Sequence, residues 1–105
     1  MLFVCGRNRL RSPTAEQVFA DWPGVETASA GIRRDADVPV SVELLAWADV
    51  VLVMEPVHGR VLASRFAHAL RGKRVACLGI PDCYGYMEPA LVVRLKQAVP
   101  LHLHA

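Results

Sequence analysis

The chain has 105 residues, of which 53% are hydrophobic and 21% are charged. This composition excludes a disordered chain, and the length predicts one domain, residues 1–105, around a single hydrophobic core. The formal net charge is only +2 and aromatic residues make up 7% of the chain, so the broad basic and aromatic face of a nucleic-acid-binding protein is not predicted. No apolar run is longer than that at residues 50–54, which is too short to span a membrane. We therefore expect a cytoplasmic protein, with no nucleic acid or membrane as partner.

Strands and helices are predicted to alternate along the chain. Apolar runs predict strands at residues 2–5, 25–28, 50–54 and 74–78. Helical patterns start near Pro13, Ser41, Pro56 and Pro89. This alternation predicts an α/β protein with a four-stranded parallel sheet between two layers of helices, a three-layer α/β/α arrangement.

The first strand-to-helix connection carries the most informative motif. Cys5 ends the first predicted strand, Arg11 follows six residues later, and Ser12-Pro13 is typical of a helix start. The amide N–H groups of such a loop and the positive end of the helix would form a cradle for a phosphate-sized anion. Arg11 would grip two oxygens of that anion at once, and the positive field would favour the Cys5 thiolate. The alternative interpretation is a buried structural cysteine.

Two long connections follow predicted strands, at residues 29–40 and 79–87. In an open parallel sheet these connections gather at the carboxyl edge, so we expect them to form walls around Cys5. The second contains Asp82, a candidate proton donor for a departing oxygen. Asp82 could instead cap the next turn. The rival acids are Glu88, Asp35 and Asp37.

Other conspicuous side chains are assigned structural positions. His58 and His68 are expected on the solvated face of a helix, and Trp22 and Trp47 in the core. His102 and His104 alternate near the end of the sequence and are expected in an exposed strand. Three cysteines without a closely spaced pair indicate reduced thiols and no metal site.

These residues resemble the low-molecular-weight protein tyrosine phosphatase family. The resemblance covers residues 2–16, 29–31, 48–54 and 82–84. It implies a flavodoxin-like fold with a phosphate-binding loop after the first strand, and hydrolysis of phosphate monoesters through a phosphocysteine. It implies Cys5 as nucleophile, Arg11 as stabiliser of the transition state and Asp82 as acid and base. The residues that it implies in substrate binding are Gly6, Arg7, Asn8, Arg9, Leu10 and Ser12 of the loop, and Tyr84 at the rim of the pocket.

The resemblance also implies the partners of the site. The substrate is expected to be a phosphorylated protein or a small aryl phosphate, and inorganic phosphate is the product. No metal or cofactor is expected. Three positions depart from the family pattern: Arg7 stands where a glycine is usual, Leu10 replaces a second loop cysteine, and Cys83 replaces the proline after the acid.

Two alternative functions share parts of this pattern. A thioredoxin-coupled arsenate reductase has the same fold and loop and relays electrons through two further cysteines, for which Cys77 and Cys83 are the candidates. Cys77, however, lies inside a predicted strand, where cysteine usually behaves as a small buried hydrophobe. A phosphocysteine carrier is the second alternative, but a carrier does not need Arg11 and must keep its phosphocysteine from water, whereas Asp82 suits a hydrolase. A non-hydrolytic phosphate-binding module stays open as an alternative because of the unusual Arg7 and Cys83.

Overall fold

A computed structural model describes residues 1–102 of the chain. Its four strands are β1 Leu2–Cys5, β2 Ala28–Gly31, β3 Val50–Val53 and β4 Arg74–Cys77. Its helices are α1 Arg11–Phe19, α2 Val42–Trp47, α3 Pro56–Arg65 and α4 Pro89–Ala98, followed by a 3-10 helix at Val99–His102. All strand pairs are parallel, in the order β2-β1-β3-β4. The predicted α/β/α fold with a four-stranded parallel sheet is confirmed.

The core lies on both faces of the sheet because successive side chains of each strand point to opposite faces. Phe3, Leu52 and Met54 pack on one face, where Ala15 and Phe19 of α1 and Leu91 and Leu95 of α4 cover them. Leu2, Val4, Val51 and Val53 pack on the other face, against Leu45 of α2 and Leu62 of α3. Each apolar cluster holds one layer of helices against one face of the sheet.

The second strand lies three residues later than the apolar run at 25–28 predicts. The observed strand, Ala28–Gly31, consists of small residues, of which Ser29 is polar. Only Ala28 also belongs to the predicted strand. The strand is fixed by its pairing with β1, from Leu2 opposite Ala28 to Cys5 opposite Gly31. Residues 29–31 therefore extend the sheet and do not belong to the following loop.

Gly31 brings the end of β2 into close contact with the Cys5 loop. A Cβ atom at this position would lie 2.6 Å from the carbonyl oxygen of Gly6 and 2.6 Å from Cβ of Ala36. Real Cβ atoms essentially never come this close to another atom, so only glycine fits without displacing backbone. The contact is a physical reason for glycine at the end of this strand.

Three of the four helix starts agree closely with prediction. Helices α3 and α4 begin at Pro56 and Pro89, and α2 begins at Val42 after Ser41, whose Oγ accepts a hydrogen bond from the Leu44 amide at 3.2 Å. Helix α1 begins at Arg11, two residues before the expected Pro13. None of the helices in residues 1–102 is long and apolar enough to cross a membrane.

Several side chains differ from their predicted surroundings. Trp47 is 42% exposed at the end of α2, so its prediction as a core residue is wrong. Trp22 packs edge-on against Phe19 with 4.5 Å between ring centroids, and it is half-buried. His102 lies in the 3-10 helix and not in a strand, because residues 99–102 continue the helical path of α4. His104 lies outside the described residues, and His68 is exposed as predicted.

We predict that Gly31→Ala lowers the free energy of unfolding by about 1–3 kcal/mol, because the new methyl group overpacks against backbone that cannot yield freely. Urea denaturation of the purified variant measures this change. Gly59→Ala is the matched control, since a Cβ atom there would meet only Val53 Cγ2 at an ordinary 3.7 Å. That helical substitution should keep or raise stability. A Gly31→Ala protein as stable as the parent would contradict the steric argument.

Candidate active site

A cavity of about 600 Å³ opens at the carboxyl edge of the sheet, where the strand order reverses between β1 and β3. This reversal is where open parallel sheets bind ligands, since the connections from neighbouring strands diverge there. The residues that line the cavity are Cys5, Gly6, Arg7, Arg9, Leu10, Arg11, Arg33, Glu55, His58 and Asp82. They come from the ends of β1, β3 and the connection after β4, and from the connection after β2.

The loop after Cys5 has its carbonyl groups turned toward the connection after β2. The carbonyl oxygens of Cys5, Gly6 and Arg7 accept hydrogen bonds from the amides of Ile32, Arg33 and Asp37 at 2.9, 3.0 and 3.0 Å, respectively. None of the amide N–H groups of residues 6–10 has an acceptor among residues 1–102. A loop whose carbonyls are occupied and whose amides are free, next to a helix N-terminus, has the geometry of an anion-binding site.

Asn8 holds the loop in its strained conformation. Its φ is +59°, in the left-handed region that asparagine tolerates better than most residues. The buried side-chain amide donates to Ser12 Oγ at 3.0 Å and to Ser29 Oγ at 2.8 Å. Ser29 in turn donates to Glu16 Oε1 at 2.5 Å. These bonds tie the loop to α1 and β2, so the cradle is rigid before any ligand arrives.

Cys5 Sγ lies at the base of the cradle, 2.9 Å from Ser12 Oγ. Cys5 is only 3% exposed, yet it lines the cavity, so the sulfur is reached through the cavity alone. Ser12 Oγ accepts from Asn8 and has one proton to donate, either to Cys5 Sγ or to the Ala30 carbonyl at 3.3 Å. A thiolate is the stronger acceptor, so the hydroxyl can stabilise the negative sulfur.

Arg11 is buried, and one edge of its guanidinium is fixed by the protein. Nη1 donates to Glu55 Oε2 at 2.9 Å and to the Ile80 carbonyl at 2.8 Å. Since Nη1 carries two protons, these bonds occupy both of them. Asp82 Oδ1 lies 3.7 Å from Nε, an ion pair too long for a hydrogen bond. The Nε and Nη2 edge is therefore left to bind two oxygens of a ligand.

Glu55 and His58 also belong to the site, although the sequence analysis did not assign them to it. Glu55 ends the connection after β3 and caps α3: its amide donates to His58 Nδ1 at 3.1 Å, and its Oε2 lies 3.5 Å from His58 Nε2. The prediction of a solvated His58 is wrong, because the residue is 3% exposed. A sequence signal for these two residues exists: the Glu-x-x-His spacing directly after a predicted buried strand is similar to a capping box at a helix start.

Burial lowers the pKa of His58, and the nearby Arg11 guanidinium lowers it further. The carboxylates of Glu55 and Asp82 oppose this shift but do not reverse it. Neutral His58 is thus favoured in the folded protein. Since Nδ1 accepts the Glu55 amide, the ring proton of the neutral form is on Nε2, which faces Glu55 Oε2.

None of the three rival acids lines the cavity, and each has a partner elsewhere in the protein. Asp35 accepts from Arg33 Nε at 2.9 Å, and this hydrogen bond lowers the pKa of its carboxyl. Asp37 pairs with Arg9 at 3.3 Å, and Glu88 Oε1 accepts from the Gly85 amide at 3.1 Å. Asp82, whose side chain is 65% exposed, is the candidate acid that lines the cavity.

Other predicted site residues lie behind the cavity or beside it. Asn8 and Ser12 support the loop from behind. Tyr84, expected at the rim, is not among the residues that line the cavity: its ring packs against the core and its hydroxyl accepts from Arg94 at 3.3 Å. Cys77 and Cys83 are free thiols that do not line the cavity. In residues 1–102 no three His, Cys, Asp or Glu side chains are grouped as metal ligands.

Solved structures share this architecture. Wzb from Vibrio vulnificus, in complex with benzylphosphonate, is 27% identical, with a TM-score of 0.74 over 96% of this chain and 94% of that one. The tyrosine phosphatase Wzb from Escherichia coli K30, in complex with phosphate, is 25% identical, with a TM-score of 0.75 over 96% and 93% of the two chains. The structure of this chain is similar to those of low-molecular-weight protein tyrosine phosphatases.

The family resemblance predicted from the sequence is thereby confirmed, as is the flavodoxin-like fold. The low-molecular-weight phosphatase SP-PTP from Streptococcus pyogenes shares the fold at 13% identity, with a TM-score of 0.77 over 99% and 92% of the two chains. The arginine phosphatase YwlE from Geobacillus stearothermophilus shares it at 24% identity, with a TM-score of 0.66 over 99% and 96%. No protein-family model matches the sequence, and no curated protein matches it.

We predict that His58 makes stability fall in mild acid. Because its pKa is below the ordinary 6.5 in the folded state, the unfolded chain binds a proton first, and the free energy of unfolding decreases as the pH drops below about 6.5. Above that pH neither state is protonated and the contribution is constant. Urea denaturation at a series of pH values measures this dependence in the parent and in His58→Gln, which should lack it.

His68→Gln is the control for this measurement, because His68 is exposed and lies outside the site. It should keep the pH dependence of the parent. Parallel curves for the parent and His58→Gln would show that the buried imidazole does not couple folding to protonation.

Proposed function

We propose that the chain is a protein tyrosine phosphatase that hydrolyses phosphate monoesters through a phosphocysteine on Cys5. The observation that carries the proposal is that Cys5 Sγ, the open edge of Arg11 and the Asp82 carboxyl face one cavity with a loop of free amides. The similar structure of the tyrosine phosphatase Wzb, which holds phosphate, supports it.

In the first step the Cys5 thiolate attacks phosphorus, and the S–P bond forms as the P–O bond of the ester breaks. The loop amides and the Nε and Nη2 edge of Arg11 bind the three equatorial oxygens, where charge is spread in the transition state. The Asp82 carboxyl gives its proton to the departing oxygen. Ser12 stabilises the thiolate before attack, through the 2.9 Å contact between Oγ and Sγ.

In the second step a water molecule attacks the phosphocysteine. The Asp82 carboxylate takes a proton from this water, the new P–O bond forms, and the S–P bond breaks to return the thiolate. Inorganic phosphate leaves. Glu55 acts throughout by fixing Nη1 of Arg11, so the guanidinium presents the same edge in both steps.

The proposed substrate is a phosphorylated tyrosine in a protein, or a small aryl phosphate. The Vibrio vulnificus Wzb structure contains benzylphosphonate, in which an aromatic ring is joined to a phosphonate, and this supports an aryl substrate for the present chain. The roles proposed for Cys5, Arg11 and Asp82 use protein groups alone and need no metal or cofactor. The cytoplasmic location stays a prediction.

The alternative functions are less well supported by the geometry. An electron relay would need further thiols that reach Cys5, but Cys77 and Cys83 do not line the cavity in the described structure. A phosphocysteine carrier must protect its S–P bond from water. Here the carboxyl of Asp82 is exposed at the cavity, where it could activate water, so hydrolysis is favoured.

We predict that the reduced protein hydrolyses p-nitrophenyl phosphate without added metal, and that phosphate and vanadate inhibit it by occupying the cradle. Cys5→Ser should abolish turnover and still bind phosphate, because the amides and Arg11 remain. Release of p-nitrophenolate measures turnover, and calorimetry measures phosphate binding. Cys83→Ser is the matched control and should turn over like the parent.

The proposal fails if the reduced parent protein shows no turnover between mildly acidic and neutral pH. Arsenate reduction that depends on thioredoxin and is lost in Cys83→Ser would instead establish the reductase.

We predict that Asp82→Asn slows hydrolysis by roughly 10²- to 10⁴-fold, the usual effect of losing a general acid. The loss should be larger for phenyl phosphate than for p-nitrophenyl phosphate, because phenolate is the poorer leaving group and depends more on protonation. Single-turnover phosphorylation of Cys5 with both esters measures the difference. Glu88→Gln, the matched control at the other acid of this connection, should react like the parent. Equal losses for the two esters would contradict the assignment of Asp82 as proton donor.

A further inference from the structure

Four arginines surround the cavity: Arg7, Arg9, Arg11 and Arg33. Three of them have carboxylate partners within the chain. Arg11 is paired with Glu55 and Asp82, and the exposed pairs are Arg9 with Asp37 and Arg33 with Asp35. Their charges are compensated in the protein itself.

Arg7 is different, because its guanidinium has no hydrogen-bond acceptor or carboxylate partner among residues 1–102. The side chain is exposed, and it lines the cavity. Asp35 is close enough for the Arg7 charge to help lower the pKa of its carboxyl, but the carboxylate is held by Arg33, at 2.9 Å from Nε and 3.3 Å from Nη2. The cavity thus has an uncompensated positive charge at its mouth.

The backbone of Arg7 is nevertheless fixed. Its carbonyl accepts the Asp37 amide at 3.0 Å, and its carbonyl carbon is one of the atoms that a Cβ on Gly31 would meet, at 2.9 Å. Arg7 follows Cys5 by two residues, so its Cα is within about 7 Å of the Cα of the proposed nucleophile. A free guanidinium on a fixed backbone at this distance can contact groups that flank the reacting phosphate.

We propose that Arg7 selects phosphotyrosine peptides with an acidic residue next to the phosphotyrosine. A carboxylate one or two residues from the phosphorylated side chain would bind the planar fork of Arg7, which matches carboxylate geometry. The inference rests on the proposed phosphatase function and adds the substrate class. Arg9 and Arg33 contribute less, because an incoming carboxylate would have to compete with Asp37 and Asp35 for them.

The test compares two phosphotyrosine peptides of equal length that differ only in Glu or Gln on both sides of the phosphotyrosine. The ratio of their kcat/KM values isolates the effect of the flanking charge. We expect the parent to favour the acidic peptide by about two- to fivefold, the range for an exposed ion pair. The preference should shrink as ionic strength rises, because salt screens exposed charges.

Two variants assign the preference to the side chain of Arg7. In Arg7→Gln the ratio should fall to about one, since the charge is lost. In Arg7→Lys, which keeps the charge but not the planar fork, the ratio should be intermediate. Arg60→Gln is the matched control, because Arg60 is an exposed arginine of α3 outside the cavity, and it should keep the parent ratio.

A parent enzyme that hydrolyses both peptides equally well, or an Arg7→Gln variant that keeps the preference, would overturn the proposal while leaving the phosphatase function intact. Failure of the phosphatase function itself would be seen separately, as absence of turnover with p-nitrophenyl phosphate. The two hypotheses can therefore be rejected independently.

Discussion

The site depends on one buried guanidinium and on the groups that hold it. A buried charge without partners is costly, and Arg11 is supplied with partners by two distant segments: Glu55 after β3 and the Ile80 carbonyl after β4. These segments meet because parallel pairing aligns the carboxyl ends of β1, β3 and β4. The pairing of the strands therefore also sets the orientation of Arg11. This orientation determines which edge of the guanidinium stays open to a ligand.

The loop that faces Arg11 is held by a second, polar set of contacts. Asn8 joins Ser12 at the start of α1 to Ser29 in β2, and Gly31 lets the end of β2 pack directly on the loop backbone. Buried polar groups specify a unique arrangement when each has its partner, and no buried side-chain nitrogen or oxygen in residues 1–102 lacks one. The free amides are therefore held in place by the protein and need no ligand to orient them.

The sequence predicted the local part of this site and one distant residue, Asp82, but it missed the distant groups that hold Arg11. Cys5, the loop and Arg11 are consecutive, so strand, turn and helix signals locate them together. Glu55, 44 residues from Arg11, has a local signal as a helix cap. Its contact with Arg11 has no local signal, and neither has that of the Ile80 carbonyl, 69 residues away, because both contacts depend on the pairing of the strands. The wrong prediction of β2 has a related cause. The residues Ala28–Gly31 have little strand propensity, and they form a strand because they pair with β1 and because Gly31 contacts the Cys5 loop.

The arginine proposed to act in the reaction and the arginine proposed to recognise the substrate are held differently. Arg11, deep in the cavity, is paired with Glu55 and Asp82, so its geometry is set before a ligand binds. Arg7, at the mouth, belongs to the same loop but has its backbone fixed and its side chain free. A substitution at Arg7 can therefore change which substrate groups are preferred beside the phosphate, and it need not move the loop amides. Substrate preference can thus change at Arg7 while Cys5 and Arg11 keep their geometry, in line with the general rule that one fold supports many functions through changes at its site.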